Sequence, residues 1–213
     1  MLMQDERKAI IAYGKKLVED GHTRGTSGNI SVFDREQKLM AITPSGIDFF
    51  ELSDEDIVIL DMDGQVVEGN RKPSSEWYMH LIQYQNRDDI NAVIHGHTIY
   101  GTVLSCLRET LPASHYMIAV AGRDVRVAEY ATFGTEALAQ NALKGMVNRK
   151  AVFLANHGIL AGESDLAKAY SVVEEVEYCA KLYCIAKSIG EPVILSDEEM
   201  TLMAEKFKTY GQQ

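Results

Sequence analysis

Cysteine, tryptophan and proline are scarce in this 213-residue chain, with three Cys, one Trp and four Pro. Cys106, Cys179 and Cys184 are odd in number and contain no Cys-x-x-Cys pair. That argues against a disulfide framework and a thiolate zinc site, and fits a reducing cytoplasm. Basic residues are outnumbered as well, 21 Lys and Arg against 31 Asp and Glu, for a formal net charge of −10. Broad binding to nucleic acid or anionic lipid needs clustered positive charge, so neither is expected as a partner. Long apolar runs are also missing. No segment approaches the roughly 18 apolar residues of a membrane span, and the first 21 residues, MLMQDERKAIIAYGKKLVEDG, have no uninterrupted apolar core. The absences together predict a soluble, cytoplasmic protein.

What is present reads as one globular domain over 1–213. Apolar residues make up 46% and charged residues 24%, enough for a substantial core, and no stretch has the composition of a linker or an internal repeat. Ile10, Ile11, Tyr13, Leu17 and Val18 recur at helical spacing between Gln4 and Asp20, with Gly21 as a stop. Short strands are predicted at Ile30–Phe33, Leu39–Ile42, Ile57–Leu60 and Val66–Val67, the last two joined by a hairpin turn at Asp61-Met62-Asp63-Gly64. A helix is predicted from Ser74 to Tyr84, opened by Pro73, with Trp77, Leu81 and Tyr84 on one stripe. Beyond it come a strand at Ala92–Ile94, a helix at Gly101–Leu107, and strands at Tyr116–Val120 and Val125–Glu129. A helix at Thr135–Met146 and strands flanking Asn156 follow. Helices at Asp165–Ile189 and Ser196–Lys208 finish the chain, the latter opened by a Ser196-Asp-Glu-Glu199 capping box. Interleaved strands and helices make the class α/β or α+β.

Three histidines stand out. His95-Gly96-His97 follows the apolar run Ala92–Ile94; if the strand continues, both imidazoles lie on one face at i and i+2 and can reach one ion. Gly96 between them lets a neighbouring backbone approach closely. His157 follows a second apolar run, Val152–Leu154. Three imidazoles with a fourth open position describe a catalytic zinc site better than a closed structural one, although His-x-His by itself reads more readily as a pair of hydrogen-bonded core histidines. His22, His80 and His115 lack comparable partners, but His80 sits one turn after Glu76 and could share its face. Pro73-Ser74-Ser75-Glu76 opens a helix, where serine hydroxyls and free N–H groups suit a phosphate or simply cap the helix. Gly25-Thr26-Ser27-Gly28-Asn29 and Thr43-Pro44-Ser45-Gly46 are further small-residue turns able to face an anion without a basic side chain. Neither is a Walker loop.

These motifs, in this order, resemble the class II aldolase and sugar-phosphate epimerase family from the first helix to the last. His115-Tyr116-Met117-Ile118-Ala119, Tyr130-Ala-Thr-Phe133-Gly134-Thr and Glu205-Lys-Phe207-Lys-Thr-Tyr210-Gly211 are most similar to its L-fuculose-1-phosphate aldolase branch. The resemblance implies a three-layer α/β/α fold with a central mixed, mostly antiparallel sheet, and a homotetramer with active sites between subunits. It further implies one Zn²⁺ per subunit on His95, His97 and His157, with Glu76 completing the shell before substrate binds and then serving as base. Gly28, Asn29, Ser45, Gly46, Ser74 and Ser75 would bind the phosphate. Tyr116 of a neighbouring subunit would donate a proton to the aldehyde oxygen, and Phe133, Phe207 and Tyr210 would shape the aldehyde side. The expected reaction is reversible cleavage of L-fuculose 1-phosphate, or a close ketose 1-phosphate, to dihydroxyacetone phosphate and L-lactaldehyde through a zinc-stabilised enediolate. Two departures from that branch, Gly96 where it has Asn and Asn156 where it has His, remove no ligand.

Three other readings stay open, the weakest of them a dehydratase acting on a related phosphorylated ketose. A 4-epimerase of the L-ribulose-5-phosphate type would share the metal and phosphate apparatus, but the family's epimerases carry an Asp and a late His where this chain offers Tyr116 and no His after His157. An adducin-like, non-enzymatic head would be expected to lose metal ligands, and here His95, His97, His157 and Glu76 all remain.

Overall fold

Helices and strands alternate along the chain in a computed structural model that describes residues 1–207 and Thr209. The first amphipathic pattern forms α1 (Gln4–Glu19), which buries Ile10, Ile11, Gly14 and Leu17. Then come β1 (Asn29–Asp34), β2 (Leu39–Ile42), β3 (Val58–Leu60), β4 (Val66–Glu68), α2 (Trp77–Asn86), β5 (Ala92–Gly96) and α3 (Ile99–Leu107). After a 3-10 turn at Tyr116–Val120 follow β6 (Val127–Ala128), α4 (Glu136–Gly145), β7 (Ala151–Leu154), β8 (Gly158–Glu163), α5 (Leu166–Ile189) and α6 (Asp197–Phe207). The sequence signals that end or cap elements do so: Asp165 and Thr135 accept from backbone N–H groups at the starts of α5 and α4, and Ser196 Oγ accepts from Glu199 N–H.

The eight strands form one sheet in the order β4-β3-β2-β1-β5-β8-β7-β6. Every neighbouring pair is antiparallel except β6 with β7, so the sheet is mixed and mostly antiparallel, as expected. Its two faces bury alternate residues. Ala41, Ile59, Ile94, Ile159 and Ala161 share one core with Ile10 and Leu17 of α1, Leu104 of α3 and Val173 of α5. Met40, Ile42, Val58, Leu60, Val93, Val152 and Leu160 share the other with Met79 and Leu81 of α2 and Leu138 and Ala139 of α4. Helices thus cover both faces of the sheet, giving three α/β/α layers; strands buried on both sides explain why Ala92–Ile94 and Ala151–Leu154 read as continuous apolar runs.

Three expectations fail locally. Tyr116–Val120 is a 3-10 turn, not a strand, and packs against α5 and α6 instead of pairing in the sheet. The strand expected over Val125–Glu129 shrinks to Val127–Ala128, with Val125 bridging Leu111. Helix α2 begins at Trp77, three residues late. Pro73 bridges Pro44 and Ser74 N–H donates to Thr43 O at 3.0 Å, so Pro73 and Ser74 are held extended beside the Thr43–Gly46 turn.

Candidate active site

Cross-strand register assembles the histidines. His95 and Gly96 pair with Leu160 and Ile159 of β8, and β8 in turn pairs with β7 through Leu154 and Gly158, so the loop carrying His157 closes beside the end of β5. That loop is tight: His157 N–H donates to Leu154 O, and Asn156 takes a φ of +53°, a conformation Asn tolerates better than most residues. Gly158 is required by proximity, since a Cβ there would lie 2.3 Å from Gly96 O and 2.9 Å from the His97 ring. The three rings come to centroid separations of 4.7 Å (His95–His157), 4.9 Å (His95–His97) and 5.0 Å (His97–His157).

Ring nitrogens from all three histidines lie within 4.8 Å of one another. His95 is fully buried, and its Nδ1 lies 2.8 Å from Ile159 O. A carbonyl only accepts, so Nδ1 carries a proton, and the ring turns Nε2 toward His97 Nε2, 3.1 Å away. Burial, then the neighbouring His95, pushes His97 and His157 down to about 4, so both are neutral at pH 7. Just past His97, the Glu177 carboxylate from α5 accepts from Tyr100 and Gly101 N–H, both at 2.9 Å, and pins the start of α3.

Glu76 faces this cluster from the N-cap position of α2, with Oε2 3.4 Å from His95 Nε2 and Oε1 3.6 Å from His157 Nε2. Its strongest influence is burial, which favours the protonated form. The facing His95 and His157 rings and a 3.0 Å hydrogen bond from Asn29 Nδ2 outweigh it and hold the carboxyl below its ordinary value. Oε1 is buried and accepts no hydrogen bond from the protein. A buried carboxylate oxygen without a donor is costly unless a cation or a proton serves it. Three imidazoles of which at least two are held neutral, together with a carboxylate, are a donor set that fits a borderline divalent ion such as zinc.

A cavity of about 560 Å³ opens on Glu76, His97 and His157. Gly28, Asn29, Ser45, Gly46, Ser74 and Ser75 all line it, so three turns far apart in sequence converge there as expected, and Phe133 lies on its wall. Gly28 has a φ of +83°, and a Cβ would stand 2.8 Å from His95 O, which ties the first turn directly to the metal-site strand. Two of the backbone N–H groups expected to be open to an anion are already paired. Ser45 N–H is taken by Lys72 O and Ser74 N–H by Thr43 O, leaving their hydroxyls rather than those N–H groups for a phosphate. Thr26, Ser27, Tyr130, Ala131 and Asn156 also line the cavity; all five sit inside or beside motifs read from the sequence, which assigns none of them a site role.

His80 is not a fourth imidazole of the cluster. It is wholly buried, with Nδ1 2.7 Å from Ser31 Oγ and Nε2 2.5 Å from Asn29 Oδ1. Tyr116 lies in a different, larger cleft of about 1570 Å³, where its ring faces Phe207 at 6.3 Å between centroids. The single chain therefore does not bring Tyr116 or Phe207 to its own Glu76. Tyr210 lies outside the described residues.

The model of the class II aldolase and adducin N-terminal domain matches residues 8–184, most of the chain. The chain belongs to this family. Among curated relatives, a 5-deoxy-D-ribulose 1-phosphate aldolase of Bacillus thuringiensis serovar kurstaki is 54% identical over 213 residues, all of both chains. An L-fuculose phosphate aldolase of Escherichia coli K12 is 47% identical over 193 residues, 90% of this chain and 88% of the relative. A solved structure of an L-fuculose 1-phosphate aldolase superposes with a TM-score of 0.96 at 70% identity, covering 98% of each chain. The three-layer class II aldolase fold expected from the motifs is thereby established, and so is the reaction class, a class II aldolase. No helix among the described residues is long and apolar enough to cross a membrane.

Proposed function

We propose that this class II aldolase reversibly cleaves L-fuculose 1-phosphate, or a close ketose 1-phosphate that lacks its terminal hydroxyl, to dihydroxyacetone phosphate and a short aldehyde. The observation that carries the reading is the convergence of His97, His157, Glu76 and three hydroxyl- and glycine-rich turns on one cavity. The L-fuculose substrate, with L-lactaldehyde as product, is supported by the motifs around Tyr116 and Phe133 and by the 70% identical solved structure. The Bacillus relative supports 5-deoxyribulose 1-phosphate as a second substrate. Both sugars end in a methyl group, so they share the phosphate end and differ in the aldehyde released.

His95, His97 and His157 would hold a zinc-type ion, which supplies Lewis-acid polarisation of the ketose oxygens. Glu76, anchored through Oε2 by Asn29, presents the unpartnered Oε1 as the base that takes or returns the proton at the hydroxymethyl carbon of dihydroxyacetone phosphate. Ser45, Ser74 and Ser75 with Gly28 and Gly46 seat the phosphate, whose binding energy orients the reacting carbon remote from it. Asn29 retains one amide hydrogen for the same phosphate after donating the other to Glu76. Phe133 shapes the aldehyde side of the cavity. Tyr116, half exposed in its separate cleft beside Phe207, serves as proton donor at the site of a neighbouring copy within a homotetramer.

A coupled assay for dihydroxyacetone phosphate on L-fuculose, 5-deoxy-D-ribulose and L-rhamnulose 1-phosphates tests the reading. Release from the first two is expected, abolished by chelator and restored by zinc. Cleavage that survives complete metal removal would refute the metal role. Conversion of L-ribulose 5-phosphate to D-xylulose 5-phosphate without triose release would make the protein an epimerase.

A further inference from the structure

One strand and one helix are zipped together by polar groups beneath the cavity. Asn29, Ser31 and Phe33 alternate along one face of β1, and Glu76, His80 and Tyr84 recur every fourth residue from the N-cap of α2. The two stripes interlock: Asn29 meets Glu76 and His80, Ser31 meets His80 at 2.7 Å and Tyr84 at 2.6 Å, and Phe33 stacks on Tyr84 at 5.0 Å. All five polar members are buried, Ser31 and His80 completely. Burying so many polar groups in one line is costly unless each is satisfied, and among these five side chains the one buried polar atom left without a hydrogen bond is Glu76 Oε1, at the end that faces the histidines.

We propose that His80 is a positioning residue for Glu76, acting through the side-chain amide of Asn29. The direction of every hydrogen bond follows from the end group. A carboxylate only accepts, so Asn29 must turn Nδ2 toward Glu76 and therefore Oδ1 toward His80. That oxygen also only accepts, so His80 carries its proton on Nε2. Its bare Nδ1 then accepts from the Ser31 hydroxyl, and Ser31 Oγ accepts in turn from Tyr84 O–H. Each donor is fixed by the one behind it, and the whole chain points at Glu76. Without the His80 donor the Asn29 amide can rotate end for end, turning an oxygen against the carboxylate and releasing the base from its position.

The inference rests on the reading of Glu76 as the base, and its tests separate the two. In His80→Gln the amide nitrogen falls near the place of imidazole Nε2 and keeps the donor to Asn29; in His80→Asn the amide falls near Nδ1 and keeps only the Ser31 contact. His80→Gln is expected to retain kcat within about threefold, and His80→Asn to lose about 10- to 100-fold in kcat, with KM, zinc content and melting temperature alike in the two variants. Equal losses in both, or losses that follow zinc content or melting temperature, would overturn the positioning role. Nitrogen-15 NMR of the wild-type imidazoles needs no turnover. His80 is expected to be protonated at Nε2 and bare at Nδ1, and the reverse tautomer would overturn the proposal even if every ketose 1-phosphate were cleaved.

Discussion

In the proposed reaction the chemistry turns on Glu76, the acid that faces the three imidazoles with one oxygen anchored and one free. Glu76→Gln keeps the size of the side chain and all three histidines but removes the proposed base. The expected outcome is a loss in kcat on the order of 10²- to 10⁴-fold with zinc content unchanged, measured by cleavage assay and metal analysis on the same sample. A loss below tenfold would mean another group moves the proton. At this scale much of the site was legible in sequence. His-x-His on a strand and a Glu behind paired serines are short-range patterns whose geometry follows from local periodicity. His80 was legible only as a residue sharing a face with Glu76. Its actual partners, Asn29 and Ser31, lie some fifty positions away, and only the packing of α2 on β1 puts them within hydrogen-bond reach.

Elements with strong caps or one dominant period, α1, α5 and the β1–β2 pair, come out within a residue or two of their predicted bounds. Tyr116–Val120 does not, since an apolar run without a clear period suits a strand or a short helix equally, and contacts with α5 and α6 decide it. The late start of α2 has the same origin: Ser74 N–H, which a helix start would leave free, is taken by Thr43 O from a distant turn. A smaller element, the 3-10 turn Asp54–Asp56, carries a pH prediction. The Asp56 carboxylate accepts from the Ser53 hydroxyl at 2.7 Å and Ser53 N–H at 2.9 Å, and pairs with Arg71 at 2.8 Å. Those donors, the Ser53 hydroxyl foremost, pull Asp56 down to about 2 from an ordinary 3.8. A depressed carboxyl stabilises the fold above its unfolded value, and that contribution disappears as pH falls through the folded one. Asp56→Asn should therefore melt below the wild type at pH 6, with the gap closing between pH 4 and pH 2. A gap that persists unchanged at pH 2 would show that the ionised form contributes nothing.

For the whole molecule, the role proposed for Tyr116 requires a neighbouring copy, because its own chain places it in a cleft apart from Glu76. That cleft is the larger of the two and is lined by Tyr116, Met117, Val120, Val147, Tyr178 and Phe207, an apolar share suited to burial against another copy. If active sites are built between copies of a closed ring, each needs Glu76 from one chain and Tyr116 from the next. Tyr116→Phe and Glu76→Gln homomers should then each be nearly inactive, yet co-refolded mixtures should regain activity, because some sites draw an intact Glu76 from one variant and an intact Tyr116 from the other. For random equimolar assembly, about one quarter of sites are complete, so kcat per chain should approach about a quarter of the wild-type value. Mixing without unfolding should restore nothing until subunits exchange, which makes the time course its own control. Co-refolded oligomers no more active than the average of their parents would place Tyr116 outside the shared site, and a fully active Tyr116→Phe homomer would remove it from the reaction altogether.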